Sequence, residues 1–149
     1  MGHYLVNDYF TKLPITFDIV ELRMSMYAVK NIAKAVIGKE FDDTSTLCLT
    51  HRKNGDLWEG QKVKGFYWIR PDDTYEEVTR QEPFDESDFT EFNEYFSHTY
   101  FAKIFKFLSK KYKLGRMRLN LLPPRSTISW HRDPEKRIHI PIISNAGCR

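Results

Sequence analysis

Residues 129–139 read SWHRDPEKRIH and place four side chains of chemical interest at two-residue spacings. On a strand, side chains two apart point to the same side. His131 and Asp133 therefore converge if a strand runs through them, and Arg137 and His139 converge on the next one. A histidine and a carboxylate offered together are two of the three ligands of the facial triad that holds non-haem Fe(II), leaving other positions open for substrate and oxygen. Arginine grips a carboxylate through two parallel hydrogen bonds, and a histidine adds a further donor. The competing reading is a charged turn in which Asp133, before Pro134, caps the local backbone. On that reading Arg137 is an ordinary surface arginine and His139 a satisfied core histidine.

The elements around the motif decide whether it can work as a site. Ile15, Ile19, Leu22, Met26, Val29, Ala33 and Val36 recur at steps of four and three, which predicts a helix over 15–37. Asp18 and Glu21 suit its positive end, and Gly38 is its expected stop. Residues 45–51 alternate as a strand, Asn54-Gly55 signals a turn, and 65–69 form a second strand before Pro71. The acidic stretch 71–94, poor in aliphatics, is expected to be a long surface connection with short helical turns. A second helix is predicted over 99–113, capped by Ser97 or Thr99, with Phe101, Ile104, Phe105, Leu108 and Tyr112 on one face. Strands are expected at 116–122, 127–130 and 138–143, broken at Pro123-Pro124 and at Pro134. Helices first and closely spaced strands later make an α+β fold with the helices packed against an antiparallel sheet or barrel.

The chain has 149 residues, which favours one domain. Its 41% apolar and 15% aromatic content belongs to a folded protein rather than a disordered one. No apolar run is long enough to span a membrane, and the first residues lack the basic-then-apolar order of a secretory signal. Two cysteines, Cys48 and Cys148, make no disulfide framework and are expected to be reduced thiols in a cytoplasmic protein. The net charge of +3 conceals an asymmetry. Residues 1–97 carry 11 Lys/Arg against 18 Asp/Glu, and residues 98–149 carry 12 against 2. The basic part can attract an anion, either a small dicarboxylate or phosphate or a nucleic acid. Lys103, Lys106, Lys110, Lys111 and Lys113 read more simply as a solvated helix face.

Residues 116–148, RMRLNLLPPRSTISWHRDPEKRIHIPIISNAGC, resemble the iron-binding half of the aspartyl/asparaginyl β-hydroxylase family. The shared pattern is R-x-R-x-x-x-L-x-P, a histidine, then R-[IM]-H and an apolar strand ending N-x-G-C. Residues 89–114 also resemble small members of that family, some of them phage-encoded. The resemblance implies a double-stranded β-helix of the jelly-roll or cupin-like kind. It also implies an Fe(II)- and 2-oxoglutarate-dependent oxygenase that couples oxidative decarboxylation of 2-oxoglutarate by O2 to hydroxylation of a C–H bond. The substrate would be an Asp, Asn or Pro side chain, free or in a peptide. By the same resemblance His131 and Asp133 are the metal ligands, and Arg137, His139 and Asn120 contact 2-oxoglutarate. The family places a second histidine ligand and another arginine further along, and no histidine follows His139. The resemblance therefore implies a core that lacks its C-terminal strands.

The rival reading is a non-catalytic β-sheet module whose basic face grips nucleic acid or an acidic partner, with lysines between Tyr100, Phe101, Phe105, Phe107 and Tyr112. Helical spacing assigns those aromatics to the core instead. A third reading is an inactive oxygenase fragment.

Overall fold

The order of elements is α1 (Ile19–Ile37), β1 (Thr46–Cys48), β2 (Thr50–His51), β3 (Tyr67–Ile69), β4 (Glu76–Val78), β5 (Glu91–Phe92), α2 (Tyr100–Ser109), β6 (Arg118–Asn120) and β7 (His131–Arg132). The structure is a computed structural model describing residues 10–40, 46–61, 67–69, 76–78, 84–126, 131–132 and 135–146, with only the backbone described in β3, β4 and β7.

Helix α1 begins at Ile19 rather than at residue 15 because Asp18 caps it. The Asp18 carboxylate accepts from the Val20 N–H at 2.8 Å and the Glu21 N–H at 3.1 Å. Gly38 ends the helix at φ +65°, a left-handed conformation that glycine adopts without steric cost. Of the predicted stripe, Leu22, Val29 and Ala33 are buried, whereas Ile19 and Val36 are exposed. Ser25 joins the buried face because its Oγ accepts from Tyr100 N at 2.8 Å, satisfying the first turn of α2. Thr99 cannot do so, since its hydroxyl donates back to Phe96 O at 2.7 Å. Helix α2 stops at Ser109, short of the predicted 113.

Both helices pack on one sheet face. Leu22, Val29 and Ala33 of α1 and Phe101, Ile104 and Leu108 of α2 share a core with Leu47, Leu49, Phe96 and Leu119. Leu47 and Leu119 face each other across the β1–β6 pair. Strand β6 pairs antiparallel with β1, and β5 with β2. Leu49 joins the two pairings, donating to Met117 O at 2.8 Å and accepting from Asn93 N at 2.9 Å. The second sheet has the order β4-β3-β7, again antiparallel. The fold is thus α+β, as the sequence predicts, with helices against small antiparallel sheets that form no closed barrel among the described residues. No described helix is long and apolar enough to cross a membrane.

Two expectations change. The described part of 71–94 is more than a surface connection: beside the expected short helical turn, at Glu86–Asp88, it holds β4 and β5, and Phe84, Glu86, Phe89 and Asn93 are buried. Residues 138–143 form no strand. The expected strand at 127–130 lies outside the described residues.

Candidate functional site

The polar face of the β1–β6 pair is where the sequence motif and the fold meet. Leu119 points into the core, so Arg118 and Asn120, its neighbours on either side, lie on the opposite face. Arg116 continues this alternation towards the N terminus. Asn120 sits at the exposed end and accepts from the Thr46 hydroxyl at 3.0 Å. Arg137 reaches the same face from the segment after β7. Its guanidinium lies 3.8 Å from Glu86 Oε1, the oxygen that Arg118 also approaches at 3.8 Å.

The remaining motif residues are placed as follows. The His131 backbone is in β7, opposite Ile69 of β3; its side chain and Asp133 lie outside the described residues. His139 is exposed, and no strand runs through residues 135–146, so two-residue alternation does not hold it beside Arg137. Among the described residues no group of three or more His, Cys, Asp or Glu side chains could hold a metal ion.

Sequence reasoning missed Glu86, and it gave Arg116 and Arg118 to the strand edge or to the acidic N-terminal part. Arg116 is wedged under the site, its side chain only 2% exposed. Its guanidinium lies 5.4 Å from the Phe84 ring centroid and 5.6 Å from that of Phe89, and it donates to Gly60 O. Its backbone N–H donates to Glu86 O at 2.8 Å, which locks the 3₁₀ turn against the entry to β6. Gly115 permits that approach: a Cβ there would lie 2.4 Å from Glu86 O. The alternation of Arg116, Arg118 and Asn120 with Met117, Leu119 and Leu121 was a readable signal for a polar face. Nothing local marks Glu86 as buried.

Beneath this face, Gln61 accepts from Cys48 N at 3.0 Å and donates to Cys48 O at 2.7 Å. The Cys48 thiol is buried and free. Lys39 donates to Thr46 O, and burial lowers its pKa below the ordinary 10.5, with Arg116 adding to the effect and Cys48 opposing it.

At the adjoining turn Arg52 donates from Nη2 at 2.6 Å and Nε at 3.0 Å to one Glu59 oxygen, Oε2, while its backbone N–H donates to Oε1 at 2.8 Å. Hydrogen bonding from Arg52 holds the Glu59 carboxyl below its ordinary 4.5. A depressed carboxylate contributes stability above its unfolded pKa and loses it as pH falls through the folded value. The wild-type urea midpoint is expected to fall more steeply than that of Glu59→Gln below about pH 4.5. Parallel curves down to pH 3 would remove this contribution.

The predicted lysine face behaves as a solvated surface: Lys103, Lys106, Lys110, Lys111 and Lys113 are all exposed. Phe101 is buried and Phe105 packs on Phe92 with ring centroids 5.4 Å apart, so neither is a free stacking platform. Phe107 is 41% exposed beneath Lys111.

No family model matches this chain, and no curated protein or solved structure matches it either.

Proposed function

We propose that this chain is an Fe(II)- and 2-oxoglutarate-dependent hydroxylase acting on an amino-acid side chain, peptidyl or free, on a jelly-roll core. The observation that carries the reading is the meeting of Arg137 with the polar face of β6, which also bears Asn120. These are two of the three residues that the sequence motif gives to the cosubstrate, and they come from separate parts of the chain. The donor types fit the cofactor: an imidazole and a carboxylate for a ferrous ion, and a guanidinium for a carboxylate.

His131 and Asp133 would hold the metal, and Arg137, Asn120 and His139 the 2-oxoglutarate. Bound iron would supply the oxygen chemistry. The protein's own part is to grip and orient. Arg137 fixes one carboxylate of the cosubstrate by paired N–H donors, and the Asn120 amide offers a neutral polar contact at the open end of the same face.

Titration of Mn(II) and 2-oxoglutarate separates these roles. His131→Ala is expected to lose the metal. Arg137→Ala should keep it and bind 2-oxoglutarate roughly tenfold or more weakly, the effect of deleting a hydrogen bond to a charged group. Equal binding of both ligands by wild type and both variants would sink the assignment. The lysine face of α2, with Phe107 partly open beneath Lys111, supports the rival nucleic-acid module. Salt-dependent binding of DNA or RNA with no metal uptake would favour that rival.

A further inference from the structure

Thr16 and Phe17, just before α1, lie against α2 and leave a cleft of about 250 Å³ lined by Tyr100, Lys103, Ile104 and Phe107. Its walls are interlocked rings. Phe17 stands edge-on to Tyr100 at 6.5 Å and 82°, and to Phe107 at 6.2 Å and 89°. The Asp18 N–H donates to the Tyr100 hydroxyl at 3.2 Å, which ties the segment carrying Phe17 to the first turn of α2. Ile104 belongs to the buried core, yet Phe107 is 41% exposed, a large apolar surface that the fold leaves open.

The rim of the cleft is basic. Lys103 lines it, and Lys111 Nζ lies 5.2 Å from the Phe107 ring centroid. Neither lysine forms an ion pair among the described residues. No Asp or Glu occurs from residue 95 to residue 113.

Size and ring geometry select the occupant. The volume falls below the roughly 300–1,000 Å³ of a pocket for a drug-sized ligand, so the cleft takes one side chain or ring. Single-stranded nucleic acid needs a row of open rings on which successive bases stack. Helix α2 presents no such row: Phe101 is buried, Phe105 packs on Phe92, and Phe17 meets Tyr100 and Phe107 edge-on. We propose that the cleft seats a single aromatic side chain of an acidic partner peptide, with Lys103 and Lys111 meeting the acids beside it. The seat uses none of the residues assigned to iron or 2-oxoglutarate, so it is tested without either.

The test is fluorescence anisotropy on the full chain at low salt, with circular dichroism to confirm folding. The probe is a labelled, capped peptide with glutamates on both sides of one phenylalanine. Two comparison peptides replace the phenylalanine with alanine, or the glutamates with glutamines. A short oligothymidylate is the nucleic-acid probe. Wild type should bind the first peptide about tenfold or more tightly than either comparison peptide. Phe107→Ala should remove the preference for phenylalanine over alanine. Lys103→Gln should weaken the acidic peptide roughly threefold, the effect of one rim charge, and leave the glutamine peptide unchanged. Thr16→Trp, at an exposed position, should fill the cleft and remove the same preference while keeping every lysine. It carries the test if Phe107→Ala does not fold.

Failure of wild type to bind the acidic peptide, or equal binding of its alanine counterpart, would overturn the seat. So would a preference that survives in folded Phe107→Ala or Thr16→Trp. Oligothymidylate binding that exceeds that of the acidic peptide and falls in Phe107→Ala would make the cleft a base-stacking site instead.

Discussion

Replacing Phe89 with alanine is expected to lower the unfolding free energy by about 3–5 kcal/mol, the usual loss for a buried aromatic ring. The ring is fully buried and meets Phe84 with centroids 5.3 Å apart and planes at 63°. It also carries two cations, the guanidinium groups of Arg116 at 5.6 Å and Arg52 at 5.8 Å. Alanine removes the apolar surface and leaves a cavity, and it strips one wall from a buried arginine whose charge is costly to expose to a void. The effect should appear as a lower urea midpoint with an unchanged slope. Phe89→Leu, which retains most of the apolar volume, should recover part of the loss. A fall of less than about 1 kcal/mol in Phe89→Ala would show that the second small core around Cys48, Phe84 and Phe89 contributes little.

Helices were the most legible elements, because their apolar residues recur with the helical period over many positions. Leu22, Val29 and Ala33 could be placed in the core on that basis alone. The start was misjudged by four residues because Ile15 continues the stripe, yet Asp18 turns its carboxylate onto the N–H groups that follow it. The described part of 71–94 was misread because its burial has no period. Phe84, Phe89 and Asn93 enter through turns, and Asn93 is buried only because Leu57 O and Tyr95 N satisfy its amide. Glu86 was illegible for a related reason. A carboxylate is buried only when cations meet it, and here they come from residues 116, 118 and 137, far along the chain. At the site, spacing brought Arg137 to notice and the family resemblance added Asn120; the structure brings Arg137 to the Glu86 oxygen that Arg118, on the same face as Asn120, also approaches. Arg118 was read as serving the strand edge or the acidic N-terminal part, and it does meet Glu86 of that part.

Glu86→Ala should cost about 3–5 kcal/mol, far more than the roughly 0–1 kcal/mol of an exposed ion pair. Burial decides between those regimes: the Glu86 and Arg116 side chains are 11% and 2% exposed. Alanine leaves the backbone bond from Arg116 N to Glu86 O in place, so the substitution isolates the carboxylate. What remains is three guanidinium groups within reach of one another, with Glu135 beside Arg137. The sign of the coupling tests this account. In wild type, Arg118→Gln should be neutral or slightly destabilising. In the Glu86→Ala background it should stabilise, because it removes one of three mutually repelling charges that no longer share the Glu86 carboxylate. Added sulfate should also narrow the gap between Glu86→Ala and wild type, by screening and by occupying the arginines. Additive effects in the double-mutant cycle would mean that Glu86 acts through packing alone. The carboxylate would then be no counter-ion to the three arginines.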